Sequence, residues 1–73
     1  NIGDTSFGFV NLGTGNTINS NTSNVTLGND SVYIYSNDAS GTVANNTNLV
    51  TTGSKNYGIY SAGQVTNSGK MNL

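Results

Sequence analysis

The chain has no cysteine, histidine, glutamate, arginine, proline or tryptophan. Without cysteine it has no disulfide, and without Cys or His it has no ligand set for a structural zinc. Without histidine a Ser/His/Asp arrangement is excluded within this chain, and thiol nucleophiles and the usual acid–base pairs are missing too. Charge is scarce: Asp4, Asp30, Asp38, Lys55 and Lys70 are the full set, for a net charge of −1. Nucleic-acid binding needs a basic footprint, which two lysines do not make. Apolar runs are too short for a transmembrane helix, and no basic region precedes an apolar run as in a signal peptide. Apolar residues make up 33% of only 73 residues, a poor basis for a self-contained core. Residues 1–73 are therefore expected to be one segment of a longer array, or a subunit that stacks on copies of itself.

What is abundant is Asn, Ser, Thr and Gly, which together supply 43 of the 73 residues. Disorder at low hydrophobicity normally comes with high net charge, which is absent here. The alternative is repeating β-structure with stacked polar side chains, and the chain is visibly repetitive. Gly3-Asp4-Thr5-Ser6-Phe7-Gly8-Phe9-Val10-Asn11, Gly28-Asn29-Asp30-Ser31-Val32-Tyr33-Ile34-Tyr35-Ser36 and Gly53-Ser54-Lys55-Asn56-Tyr57-Gly58-Ile59-Tyr60-Ser61 are three copies of one phrase, their leading glycines 25 residues apart. A fixed period of this size is the mark of a stacked architecture. The turns run 3–27, 28–52 and 53–73, and the third is shorter.

Each repeat opens with a glycine-led polar turn and continues into a segment rich in aromatic and β-branched residues, which predicts a strand. Strict alternation puts Phe7/Val32/Tyr57 and Phe9/Ile34/Ile59 inside, and Gly8/Tyr33/Gly58 and Val10/Tyr35/Tyr60 outside. A polar turn of variable length follows, shortened by three residues in the last repeat. Next come Ile18, Val43 and Val65, then polar stretches. Val25-Thr26-Leu27, Val50-Thr51-Thr52 and Met71-Asn72-Leu73 close the repeats, with one further residue lost before Met71. The interior is expected to hold Phe7, Phe9, Ile18, Val25, Leu27 and their counterparts. Ser20/Asn45/Asn67 are placed to form a polar ladder. The predicted fold is all-β: one β-coil per repeat, stacked about 4.8 Å apart by parallel pairing.

The repeats resemble those in passenger domains of bacterial type V autotransporters, in particular fusobacterial adhesins. Those repeats read roughly Gly-x-x-Ser-x-Gly-Ile-Tyr, then Val-x-Asn-x-Gly, then an alternating ending. Gly53, Gly58, Ile59, Tyr60, Val65, Asn67 and Gly69 match that pattern, whereas Tyr33 and Thr47 stand where it has glycine. Repeat one departs further, at Phe7-Gly8-Phe9-Val10 and Thr22. The resemblance implies a right-handed parallel β-helix, secretion, and display on the bacterial surface through an outer-membrane anchor outside this chain. It also implies a supporting role in adhesion to host cells or other bacteria.

Few residues suggest a site. Asp30 and Asp38 are too few carboxylates for calcium, which takes six to eight oxygens. Gly13-Thr14-Gly15-Asn16 faintly resembles a phosphate loop but lacks the lysine and helix. Lys55 and Lys70 read as solvated surface lysines. Tyr33, Tyr35 and Tyr60 are the candidate contact surface, because exposed tyrosines offer area with a polar tip to a protein or glycan. No catalysis, cofactor or metal is expected. The leading expectation is a non-catalytic stalk segment of a surface adhesin. The alternative is a self-assembling extracellular filament or functional amyloid made by axial stacking. An ice-binding solenoid would need a Thr column, which Thr26/Thr51 begin and Asn72 breaks.

Overall fold

The computed structural model describes residues 1–72, which contain nine strands. In chain order these are β1 (Phe7–Asn11), β2 (Thr17–Ser20), β3 (Asn24–Leu27), β4 (Val32–Ser36), β5 (Thr42–Asn45), β6 (Asn48–Thr51), β7 (Tyr57–Ser61), β8 (Gln64–Asn67) and β9 (Met71–Asn72). They form three sheets, ordered β1-β4-β7, β2-β5-β8 and β3-β6-β9. Every pairing is parallel. The fold is an all-β parallel β-helix of about three coils, each coil giving one strand to each sheet. Leu73, the last residue of the expected closing run, lies outside the described residues.

The first corner shows why the leading glycines recur. A Cβ on Gly28 would lie 3.0 Å from the carbonyl carbon of Gly3, and one on Gly53 would lie 2.9 Å from that of Gly28. The corners stack backbone on backbone, and a side chain there would force the coils apart. The left-handed conformation of the corner falls two residues later, on Thr5, Asp30 and Lys55, with φ of 52°, 55° and 61°. Side-chain oxygens fasten each corner to the next. The backbone N–H of Asn29 donates to Asp4 Oδ1 at 2.8 Å, and that of Ser54 donates to Asn29 Oδ1 at 2.9 Å. Short polar side chains are needed here because only they reach the amide one level up.

The core is one column system: Ile18, Val25, Leu27, Tyr33, Ile34, Val43 and Leu49 are buried, with Ile2, Phe9 and Ile59 packed partly buried against them. Complete burial of side chains such as Leu27, Ile34 and Leu49 stabilises by about 1.5–3 kcal/mol each. Among the described residues, no buried side-chain N or O lacks a hydrogen-bond partner.

Three expectations are corrected. First, the faces of the opening strand are not strictly alternating. Tyr33 and Ile34 are both buried, while Val32 and Tyr35 are half-buried on the outside. Tyr33 was expected outside and is only 3% exposed, whereas Phe7 and Tyr57, expected inside, are 54% and 63% exposed. The cause is a small–large–small column. Gly8 and Gly58 occupy the place of Tyr33 in the coils on either side, so the tyrosine ring can spread over its neighbours. A Cβ on Gly8 would lie 2.8 Å from ring atom Cδ1 of Tyr33. The phenol then crosses the interior, meets Phe9 edge-on at 5.6 Å, and places its hydroxyl 2.7 Å from Ser20 Oγ.

Second, the closing strands pair Val25 with Leu49 and Leu49 with Met71, not Val25 with Val50. Leu49 is fully buried and Val50 is 43% exposed. Coil one carries an extra residue in its polar stretch, and coil two regains one at Thr52, whose N–H bonds Leu27 O. The two shifts cancel, so the glycine spacing of 25 conceals them. Coil three loses all its residues at one place, between Ser61 and Gln64, because Ser36 pairs with Ser61 but Thr42 with Gln64. Thr26 consequently pairs with Val50, and the Thr26/Thr51 column does not exist.

Third, the polar ladder is only half formed. Asn45 Nδ2 donates to Asn67 Oδ1 at 2.8 Å, but Ser20 Oγ turns inward to Tyr33 and to Thr47 Oγ1.

Candidate functional site: an aromatic outer face

Parallel in-register strands put equivalent residues of successive coils one strand spacing apart, so like side chains on the outside form columns along the axis. On the outer face of β1-β4-β7 two such columns lie side by side. Tyr35 pairs in register with Val10 and Tyr60, and Val32 pairs with Phe7 and Tyr57. The rings of Tyr35 and Tyr60 are stacked, with centroids 4.9 Å apart and planes within 5°. That separation is close to the strand spacing, so the backbone itself holds the pair. Phe7 meets Tyr35 edge-on at 5.9 Å. Phe7, Val32, Tyr35, Tyr57 and Tyr60 line an open groove of about 340 Å³. None of the five is charged.

Of the three tyrosines expected at the contact surface, the structure places Tyr35 and Tyr60 together on this face and puts Tyr33 in the core. Phe7, Val32 and Tyr57 join the face instead, and strict alternation missed them. A signal was present: glycine at both positions equivalent to Tyr33 marks room inside for one large ring. Chemically the face is a shallow apolar and aromatic platform with phenol hydroxyls, suited to stacking contacts.

Asp38 lies elsewhere and is occupied. Its carboxylate accepts hydrogen bonds from the backbone N–H groups of Gly15 at 3.0 Å, Asn16 at 2.9 Å and Ser40 at 3.2 Å, and from Asn11 Nδ2 at 3.1 Å and Ser40 Oγ at 3.1 Å. The Asn16 N–H is the main cause that lowers its pKa from 3.8 to about 2. Burial opposes it, and the bonds from Gly15, Asn11 and Ser40 add to it. The loop that faintly resembles a phosphate cradle is therefore an anion nest, with Gly15 at φ 70°, filled by the chain's own carboxylate. Asp30 sits exposed at a different corner, and no group of three or more His, Cys, Asp or Glu side chains occurs among the described residues. Lys55 and Lys70 are both exposed.

Comparison with known proteins finds no matching family model, no similar curated protein and no matching solved structure.

Proposed function

We propose that this chain is a non-catalytic stalk segment of a secreted bacterial cell-surface adhesin, an autotransporter passenger that supports cell adhesion by extending binding regions away from the outer membrane. The observation that carries this reading is the continuous in-register parallel pairing of all three sheets. Such an arrangement extends along one axis, gains length by repetition, and distributes its stability over neighbouring coils. The resemblance of Gly53, Gly58, Ile59, Tyr60, Val65, Asn67 and Gly69 to fusobacterial adhesin repeats supports the cellular setting. Tyr35 and Tyr60, with Phe7, Val32 and Tyr57 beside them, offer a face for contact with a surface protein or glycan.

The test is display. Expressed ahead of an outer-membrane autotransporter barrel, the chain is expected to reach the surface of intact cells in a protease-resistant form. Each tandem copy added should lengthen the projecting rod in electron micrographs by the height of three coils. A passenger that stalls in the periplasm, or a rod that does not lengthen, defeats the proposal.

A second reading is a self-assembling filament, favoured by the parallel pairing that joins each coil to the next in all three sheets, since the same pairing can join one copy to another. Long uniform filaments grown from the purified chain would establish this reading; a soluble monomer would remove it.

A further inference from the structure

We propose that the outer face of the β1-β4-β7 sheet is a self-recognition surface, on which the same face of a second copy packs with its coil axis reversed. The inference concerns lateral pairing between copies of these three coils, a contact distinct from axial stacking.

Area is the first argument. Phe7, Val10, Tyr57 and Tyr60 are each more than half exposed on one face, with Val32 and Tyr35 half-buried between them. With about 150–250 Å² per aromatic side chain, the patch offers roughly 400–500 Å² per copy. Two such patches would bury about 900 Å² together, within the range of weak but specific associations.

Periodicity is the second. The patch is two columns repeating at the coil spacing, and a rigid partner that matches it must carry groups at that same spacing. A second copy does, and facing sheets interdigitate at about 10 Å.

Charge is the third. The six residues of the patch are uncharged, so pairing buries no ion. The corner entering these strands carries exposed Asp4 in coil one, exposed Asp30 in coil two and exposed Lys55 in coil three. A two-fold axis along the strand direction keeps that corner on the same side and reverses the coil order. Coil one then faces coil three: Phe7 meets Tyr57 of the second copy, and Asp4 meets Lys55 of the second copy, twice over. Asp30 alone meets its own counterpart, which leaves two opposite-sign pairs against one like pair. The other two-fold arrangement, with axes parallel, sets this corner against Asn11, Ser36 and Ser61 and forms no charge pair.

Sedimentation equilibrium of the whole chain tests this, over about 10 μM to about 1 mM. A reversible dimer is expected in that range. Tyr57→Ser with Tyr60→Ser should weaken it by at least about tenfold, as loss of central aromatic anchors does. Lys55→Ala should weaken it less and reduce its dependence on salt. Circular dichroism checks that the double variant keeps the wild-type β spectrum. If it does not, Phe7→Ser with Val10→Thr reads the same contact from coil one. Amide NMR shifts on dilution should be confined to the face residues and the Asp4, Asp30 and Lys55 corner. A chain monomeric throughout overturns the proposal, as does a dimer indifferent to both pairs of substitutions. Shifts centred instead on Phe9, Ile59, Val65 and Met71 would assign the association to axial stacking and equally overturn it. A glycan held on this face by a chain that stays monomeric would do the same.

Discussion

Replacing Leu49 with alanine should destabilise this chain markedly, while the same change at Val50 should have little effect. Leu49 has no exposed surface and sits in the core column between Val25 and Met71, whereas Val50 is 43% exposed beside Thr26 and Asn72. Truncating a buried leucine removes its transfer free energy and leaves a cavity that the coil can close only partly, for a loss of about 2–5 kcal/mol. Truncating an outward valine on a strand changes little beyond β-propensity, well under about 1 kcal/mol. In a domain of this size each 1 kcal/mol corresponds to about 4–8 °C in Tm. Leu49→Ala should therefore lower Tm by at least about 8 °C, and Val50→Ala by no more than about 6 °C. Thermal melts followed by far-UV circular dichroism measure both. Equal losses, or a larger loss at Val50, would refute the pairing of Val25 with Leu49 and with it the inward assignment of the third sheet.

The remaining predictions concern the interior tyrosine, the corner glycine and the buried carboxylate. Tyr33→Phe should lower stability by about 0.5–1.5 kcal/mol in urea unfolding, because Ser20 and Thr47 keep their mutual bond when the phenol hydroxyl is lost; no loss would place that hydroxyl in solvent. Gly28→Ala should destabilise by about 1–3 kcal/mol through backbone crowding between coils, again read from urea midpoints; a neutral result would mean the corners are not closely stacked. Asp38 is depressed from 3.8 to about 2, so its contribution is fully present above pH 4 and disappears as pH falls towards 2. Tm should fall across that window, and Asp38→Asn should be less stable at pH 7 and show a smaller acid-induced fall. A variant that parallels wild type through the window would disprove the nest.

A stack of similar coils sets equivalent outer residues in columns along the axis, so a substitution on the outside of one coil alters one rung of a column. Tyr35 and Tyr60 pair in register with their rings stacked, and Phe7 packs edge-on against Tyr35, so the aromatic rings of this face are packed against one another within the chain.

The repeat was legible in the residues themselves. Gly3, Gly28 and Gly53 at a spacing of 25, the aromatic and β-branched runs after them, and the polar turns between are local signals, and parallel stacking follows because no single coil buries its own apolar face. Ile18, Val25, Leu27, Ile34 and Val43 were legible as core for the same reason. Two things were decided only by packing in three dimensions. One is the register of the closing strands: Leu49 and Val50 are both apolar neighbours, and only the level of Val25 beneath and Met71 above selects Leu49 for the interior. The other is the direction of Tyr33. Alternation along its own strand sends it outward, but empty space over Gly8 and a waiting Ser20 hydroxyl draw it inside, and the outer face falls to Phe7, Val32 and Tyr57 beside Tyr35 and Tyr60. Local sequence carries the period of a strand; the volume left by the coils above and below determines which of two adjacent residues fills the core.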